Sequence, residues 1–412
     1  MIDLSKKKEK VVLVVAAIDS AERTEKSLDE LEELVKTAGA EVVGRIIQSR
    51  DSFHPGTYIG SGKLDELKWL VWETEADGIV CDDELSPAQI GNLQDVLDCK
   101  IMDRTLVILD IFAARASTKE GKIQVELAQL KYRQSRLTGL GKSLSRLGGG
   151  IGTRGPGEKK LEMDRRLIKG RIAQLSRELA DVRKHREVTR EQRSRNHIPV
   201  CAIVGYTNAG KSTLLNTLTH SEVLEEDKLF ATLDPTTRTL NLPGGQKILL
   251  TDTVGFISKL PHNLIEAFKS TLEEAKYADV ILHVVDMSNP QMEEQMYVTY
   301  ETLESLKVLN KTVITVFNKC DKAPADIWVK DLKADRQVTV SAKTGEGLDD
   351  LQEILEEWLR KQRMEIKRLY PYSEAGKIQL IRAYGEIKKE EYRDNGIYVE
   401  GLVPDELYGK VN

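Results

Sequence analysis

Eight consecutive residues, Gly205-Tyr206-Thr207-Asn208-Ala209-Gly210-Lys211-Ser212, satisfy G-x-x-x-x-G-K-[ST] at every fixed position. Glycines at both ends let a backbone wrap tightly enough for successive N–H groups to point inward at phosphate. Lys211 would reach the β- and γ-phosphates as a point charge, and Ser212 would ligate Mg²⁺ through its hydroxyl. Further on stands Asp252-Thr253-Val254-Gly255, in which the carboxylate can hold Mg²⁺ through water. Gly255 offers the γ-phosphate an N–H with no side chain in the way. Between the two, Phe230-Ala231-Thr232-Leu233-Asp234-Pro235-Thr236-Thr237-Arg238 reads as a loop carrying three threonines, one of which completes the Mg²⁺ shell.

The base is read separately. Asn318-Lys319-Cys320-Asp321 ends an apolar run, and a carboxylate there accepts two hydrogen bonds from the N1–H and N2–H₂ edge of guanine. Adenine has no matching donors and would leave that charge unpaired. Ser341-Ala342-Lys343 follows, where a backbone N–H can meet guanine O6. A lone N-K-x-D is weak evidence, but the ordered set favours GTP over ATP. Many GTPases carry Gln after D-x-x-G to orient the attacking water. Here the residue is Phe256, so intrinsic turnover should be slow, on the order of 10⁻⁴ to 10⁻² s⁻¹. Arg238 could act as an internal arginine finger, although position alone supports that and a structural role competes with it.

These residues need elements to position them. Pro199–Val204 is an apolar run of the kind a buried parallel strand shows, and residues 213–218 read as the helix beyond the cradle. This strand–turn–helix context separates the motif from a chance glycine turn. Strand-like runs recur at 247–251, 280–285, 313–317 and 338–340, with a closing helix over 345–358. Upstream, strands at 11–17, 41–47 and 78–81 alternate with helices at 24–38, 63–74 and 86–97, the last with Ser86 as cap and Pro87 at its first position. Gly60-Ser61-Gly62-Lys63 is a turn and helix start rather than a second phosphate loop. Thr57 replaces the first motif glycine, and no apolar strand precedes it.

A single helix is expected over 106–136, with a stripe of Ile123, Leu127, Leu130 and Leu137. Residues 158–196 carry Leu161, Ile168, Ile172, Leu175, Leu179 and Val182 at coiled-coil spacing, the other arm of a helical hairpin. Between the arms, Gly139–Gly157 holds eight glycines among Lys142, Arg146 and Arg154. A plain linker is one reading, but glycine alternating with arginine better suits contact with a phosphate backbone. After the cradle-bearing domain, 378–381 and 397–402 are expected as strands around a charged 385–394 segment.

The 412 residues suffice for several domains, and the net charge of −5 rules out a nucleic-acid binder by bulk charge. The distribution is uneven. From Arg115 to Asn196 there are 22 Lys/Arg against 9 Asp/Glu, a local +13 that leaves −18 elsewhere, so one segment is built to meet a polyanion. Cys81, Cys99, Cys201 and Cys320 have no paired spacing, which fits free thiols in a reducing compartment. The run Val11–Ile18 after Lys6–Lys10 is short for a signal peptide and reads as a first strand; no stretch is apolar enough to span a membrane.

The motifs GYTNAGKST, FATLDPTTR, DTVGF, NKCD and SAK resemble the translation-factor-like GTPases. Together with HPGTYIGSGK, EGKIQVELAQL and LGGGIGTRGPGE, they make the whole chain similar to the HflX family of ribosome-associated GTPases. That resemblance implies an α/β multidomain protein. Residues 1–112 would form an N-terminal α/β domain, 113–197 a helical hairpin, 198–364 a P-loop GTPase domain of mainly parallel sheet flanked by helices, and 365–412 a small C-terminal α/β domain. It implies that Gly205–Ser212, Phe230, Ala231, Thr232, Leu233, Asp234, Asp252, Thr253, Val254, Gly255, Asn318, Lys319, Cys320, Asp321, Ser341, Ala342 and Lys343 line GTP. Ser212 and Thr232 would ligate Mg²⁺, and Lys211, Thr232 and Gly255 would serve hydrolysis. The expected partner is the large (50S) ribosomal subunit, met through its RNA by the basic hairpin and glycine-arginine loop, in rescue or splitting of ribosomes or in subunit assembly. A cytoplasmic monomer is expected. The first hairpin arm departs from its relatives at Tyr132-Arg133-Gln134-Ser135-Arg136-Leu137, so the tip could dock with altered affinity. Two rivals stand beside this reading: a nucleotide-gated RNA-binding assembly module whose slow hydrolysis only resets it, and an ATP-dependent RNA remodeller working through the N-terminal domain, which the incomplete GTYIGSGK loop disfavours.

Overall fold

The structure, a computed structural model of the chain, describes residues 8–145, 156–195, 198–221, 229–260, 274–308, 310–324 and 329–412. It forms two units: Met1–Val182 with Glu226–Asp234 and Ser258–Ser270, and Arg183–Glu225 with Pro235–Ile257 and Thr271–Asn412.

The first unit begins β1 (Lys10–Ala17), α1 (Ala21–Thr37), β2 (Glu41–Ser49), α2 (Ser61–Glu73), β3 (Gly78–Cys81), α3 (Pro87–Leu97), β4 (Lys100–Asp103) and α4 (Arg104–Arg115). Its sheet is parallel throughout, in the order β2-β1-β3-β4. The apolar run of β1 is buried along nearly its whole length, as a strand covered on both faces must be. Leu28, Leu31, Leu34 and Val35 of α1 supply one buried helical stripe. Ser86 and Gln89 close a reciprocal capping box at α3, with Pro87 inside the first turn. Residues 60–63 are a cap and the opening of α2, as expected.

The helix expected over 106–136 is two helices. The chain turns extended at Ala116, with ψ of 108°, and restarts as α5 (Lys119–Ser145). Thr118 Oγ1 accepts from Gly121 N at 2.9 Å and satisfies a first-turn amide, so a cap signal stands inside what reads as continuous periodicity. The partner arm is α6 (Pro156–Arg195), whose residues to Val182 belong to this unit. Ile123 and Leu127 of α5 pack with Leu175 and Leu179 of α6, flanked by Leu130 and Ile172. Arg171 and Glu126 pair across the same seam at 2.7 Å. The central glycine-arginine residues, 146–155, lie outside the described residues, as do the side chains of Leu161 and of the residues flanking that loop. In the departing stretch Tyr132 Oη donates to Asp103 Oδ1 at 2.8 Å, and Arg136 pairs with the same carboxylate at 2.6 Å. Those two residues therefore root the arm to the end of β4.

The second unit holds β5 (Val200–Gly205), α7 (Lys211–Thr219), β6 (Thr236–Asn241), β7 (Lys247–Asp252), β8 (Val280–Asp286), α8 (Met292–Ser305), β9 (Thr312–Asn318), β10 (Arg336–Thr339) and α9 (Leu348–Lys361). The sheet order is β10-β9-β8-β5-β7-β6, with only the edge strand β6 antiparallel. Thr236, Thr237 and Arg238, expected in a loop, therefore belong to an edge strand, and Thr232 is the threonine left in the connection. Arg238 is exposed and donates to its neighbour's carbonyl, that of Thr237, at 3.1 Å.

A three-stranded antiparallel sheet follows, β11 (Arg363–Tyr370), β12 (Glu386–Arg393) and β13 (Gly396–Pro404) in the order β11-β13-β12, with α10 (Ala375–Tyr384) and α11 (Asp405–Val411). Residues 378–381, expected as a strand, are helical. Ile378 and Ile381 stand three apart on the buried face of α10, and the short run Ile-Gln-Leu-Ile fits either period. The charged 385–394 segment is itself the edge strand β12. Among the described residues no helix is long and apolar enough to cross a membrane.

The seam gives a stability prediction. Leu175→Ala should cost about 2–4 kcal/mol, since Leu175 is buried between the hairpin arms. Leu167→Ala, at a position 66% exposed, should cost less than about 0.5 kcal/mol. Denaturant titration of both variants checks this, and equal costs would contradict the pairing of α5 with α6.

Candidate nucleotide site

β5 delivers the chain to Gly205 at φ +152°, where an added Cβ would lie 2.2 Å from the Val284 carbonyl oxygen of the neighbouring strand. Gly210 caps α7 at φ +91°, and a Cβ there would meet Asn318 Nδ2 at 2.3 Å. Both glycines are thus required by space as well as by conformation. Between them Asn208 also has positive φ, and the amides of α7's first turn face the cradle with the helix dipole behind them.

Lys211 is buried, and its ammonium donates to the Tyr206 carbonyl across the loop at 2.8 Å. Burial pushes Lys211 down to about 8, against the raising pull of Asp252. Ser212 Oγ donates to Asp252 Oδ2 at 2.7 Å, which brings the two expected Mg²⁺-side oxygens together. A hydroxyl and a carboxylate, both hard oxygen donors beside a phosphate loop, fit that ion's chemistry.

The D-x-x-G turn is sewn to the cradle by backbone. Phe256 N donates to Gly205 O at 3.1 Å, and Thr207 N donates to Phe256 O at 2.8 Å. Thr253 Oγ1 donates to the Ile203 carbonyl at 2.7 Å, and Val254 is buried. A Cβ on Gly255 would lie 2.7 Å from Thr207 Cα and 3.0 Å from Lys211 Nζ, so the turn comes this close only as glycine. The Phe256 ring is fully buried, so its side chain packs inward and takes no part in orienting water.

The residues expected to read the base converge on the same loop. Asn318 Nδ2 donates to Ala209 O at 2.9 Å, and Asn318 Oδ1 accepts from Ala342 N at 2.9 Å. Lys319, at φ +64°, donates to Asn208 O at 2.8 Å and pairs with Asp286 at 2.7 Å. Ser341 Oγ donates to Asp321 Oδ1 at 2.6 Å, fixing a carboxylate that remains exposed. Cys320 is half-buried and Lys343 is exposed. Sequence reasoning placed Asn318 and Lys319 against the nucleotide and missed their bracing of the phosphate loop. It also missed Asp286, whose only signal was an acidic residue ending a strand.

The residues Phe230–Asp234 belong to the first unit. The Phe230 ring meets Phe112 of α4 edge-on, with centroids 4.7 Å apart, and Leu233 is buried. Asp234 accepts from Ser117 N, Ser117 Oγ, Thr118 N and Thr118 Oγ1 at 2.9, 2.7, 2.9 and 2.5 Å. Burial works against its ionisation, and these donors outweigh that to hold the carboxyl below the usual carboxylate range. The segment after Ile257 is held likewise: Lys259 pairs with buried Asp82, and with Asp83 at 3.0 Å. Ser117-Thr118 carried a cap signature, but nothing local pointed to a partner more than a hundred residues away.

Three family profiles match in order: GTP-binding GTPase N-terminal over residues 25–113, GTP-binding GTPase middle region over 115–193, and 50S ribosome-binding GTPase over 200–319. The GTPase HflX of Lacrimispora saccharolytica is 66% identical over 411 residues, covering 100% of this chain and 97% of that protein. That of Caldanaerobacter subterraneus subsp. tengcongensis is 50% identical over 99% of this chain and 94% of its own. That of Escherichia coli is 44% identical over 81% of this chain and 79% of its own. A GTP-binding protein from the archaeon Sulfolobus solfataricus, solved in complex with GDP, is 27% identical over 85% of this chain and 98% of its own, with a TM-score of 0.46. By its full-length identity to these relatives and its three matching segments, the chain belongs to the HflX family of GTPases.

Proposed function

We propose that this GTPase binds GTP across Gly205–Ser212, Asp252–Gly255, Asn318–Asp321 and Ser341–Lys343, and couples its occupancy to the large ribosomal subunit in rescue or splitting of ribosomes or in subunit biogenesis. The observation that carries the nucleotide assignment is the Asn318 amide, which spans the phosphate loop and the Ser341–Lys343 turn. Three residues on, Ser341 Oγ holds the exposed Asp321 carboxylate in place. Guanine presents two donors to that carboxylate, whereas adenine leaves it desolvated and unmatched. Mg²⁺, when bound, neutralises developing phosphate charge; Ser212 would ligate it and Asp252 would hold its water. Lys211 and the Gly255 amide then stabilise charge on the γ-phosphate.

With Phe256 buried, no side chain at the usual position aligns the attacking water, which favours completion of the site by the ribosome. The profile match to 50S ribosome-binding GTPases and the +13 charge of the hairpin support that partner, since ribosomal RNA is a dense polyanion. A monomer acting in the cytoplasm fits this role.

Three outcomes are expected. Asp321→Asn should reduce the preference for GTP over ATP by about a hundredfold or more, read by titration calorimetry; an unaltered ratio would place the base elsewhere. GTP affinity should hold steady below about pH 8 and weaken above it. Free Lys211 titrates near 8, and bound phosphate raises that value, so the favourable charge is complete below the free pKa and lost as pH climbs through it. The weakening should flatten in Lys211→Ala, and an unflattened slope would remove Lys211 from the explanation. Deleting Gly148–Gly157 should abolish co-sedimentation with the large subunit and subunit-stimulated hydrolysis while sparing GTP affinity; retained co-sedimentation would refute the loop's role.

A further inference from the structure

Trp69 and Trp72 stand on the outer side of α2, 56% and 77% exposed, while Leu64, Leu67 and Val71 of the same helix are buried. At this spacing on a helix the two indoles are neighbours. Each is a large apolar ring left in water, and two side by side mark a surface that another molecule covers. The end of the helix beside them is built against its own stability. Ala76 N donates to Val71 O at 3.0 Å and Glu75 N to Trp72 O at 3.3 Å, which puts Glu75 at the left-handed position that glycine normally takes, with φ of +51°. α1 ends in the same arrangement with Gly39 there, at φ +91°, and Lys36 in its last turn. The last turn of α2 holds no base and ends on Glu73 instead. A carboxylate at the negative end of a helix is repelled by the dipole, and a side chain at positive φ is strained. Glu73 and Glu75 therefore cost stability where they stand, and a cation bound beside them offsets it. Over residues 61–77 the net charge is −3. That charge repels nucleic-acid phosphates, anionic lipid headgroups and the same face of a second copy. A guanidinium group fits, because it stacks flat on an indole and brings positive charge to the carboxylates.

We propose that the Trp69–Trp72 face of α2 is a docking surface for an arginine-bearing segment of another protein. The partner lays guanidinium groups over the two indoles, and its charge meets Glu73 and Glu75 at the helix end. Every residue of the surface lies within the first unit, and docking there needs neither GTP nor the hairpin. Arginine-rich segments of this kind are common on proteins that bind RNA.

The test follows the fluorescence anisotropy of two labelled peptides, one alternating arginine with glycine and one alternating lysine with glycine, as the full-length chain is added. Wild type should hold the arginine peptide several-fold more tightly, since an ammonium group is more strongly hydrated and cannot stack. Trp69→Ala combined with Trp72→Ala should weaken the arginine peptide about tenfold, and Trp69→Phe combined with Trp72→Phe only about threefold. Both indoles are exposed, so these variants leave the core of the unit intact. Glu75→Gly should weaken the same peptide about threefold and slow hydrogen exchange of the Ala76 amide, because glycine removes the strain. A carboxylate with a purely structural role would not trade binding for local stability in this way. The proposal is overturned by an arginine peptide that binds the double alanine variant as tightly as wild type, by equal binding of the two peptides, or by unaltered affinity in Glu75→Gly. Single-stranded RNA, phosphatidylserine vesicles and self-association in sedimentation are measured on the same variants. If any of these depends on the two tryptophans and peptide binding does not, a different occupant is identified and the proposal falls.

Discussion

The amide of Asn318 is the interaction on which the nucleotide site depends. A triphosphate cradle and a base pocket are useful only at a fixed separation, and they come from chain segments more than a hundred residues apart. Asn318 meets both with one planar group, donating to Ala209 and accepting from Ala342. Lys319 repeats the brace from the next position, joining Asn208 to Asp286. The two Asn318 bonds are buried, and a rigid scaffold of this kind costs little reorganisation when ligand arrives. Gly210 has no side chain for the same reason, since Asn318 Nδ2 occupies the space a Cβ would need.

Three other segments are fixed differently. The turn at Gly255 is sewn to the cradle through the Phe256 backbone, so its position follows from the sheet. The Phe230–Asp234 segment takes its contacts from α4 and α5, and Lys259 from the carboxylates after β3. The Gly255 turn is thus held within the second unit, while the Phe230–Asp234 and Lys259 segments are anchored within the first. Asp82 shows why such an anchor is selective. It is buried, burial drives its carboxyl toward protonation, and Lys259 and Arg104 are the cations that offset this. A charge held in that way binds its own partner tightly and tolerates few others.

Local patterns in the sequence carried the strand–cradle–helix unit, the parallel sheet around it and the alternation of strands and helices in the N-terminal unit. Each rests on periodicity or on a residue type with one conformational use: β1 as a continuous apolar run, α3 with its capping box, Gly205 at the turn. Errors arose where local signals tie. Ile378–Ile381 fits a strand or a helix face, and tertiary packing placed it in a helix. The break before α5 was hidden because hydrophobic periodicity resumes in phase after Ser117 and Thr118. β6 was unreadable as a strand because an edge strand needs little apolar content.

By itself the sequence determined which chemistry is present, because a phosphate loop, a D-x-x-G turn and an N-K-x-D run each require particular residues at adjacent positions. It could not determine which of those residues brace one another, or that the Phe230–Asp234 segment would be fastened to the root of the hairpin. Those outcomes depend on hydrogen bonds between residues far apart in the chain. Such bonds leave no periodic trace, since their geometry exists only after the sheets and helices have brought the partners within 3 Å of each other.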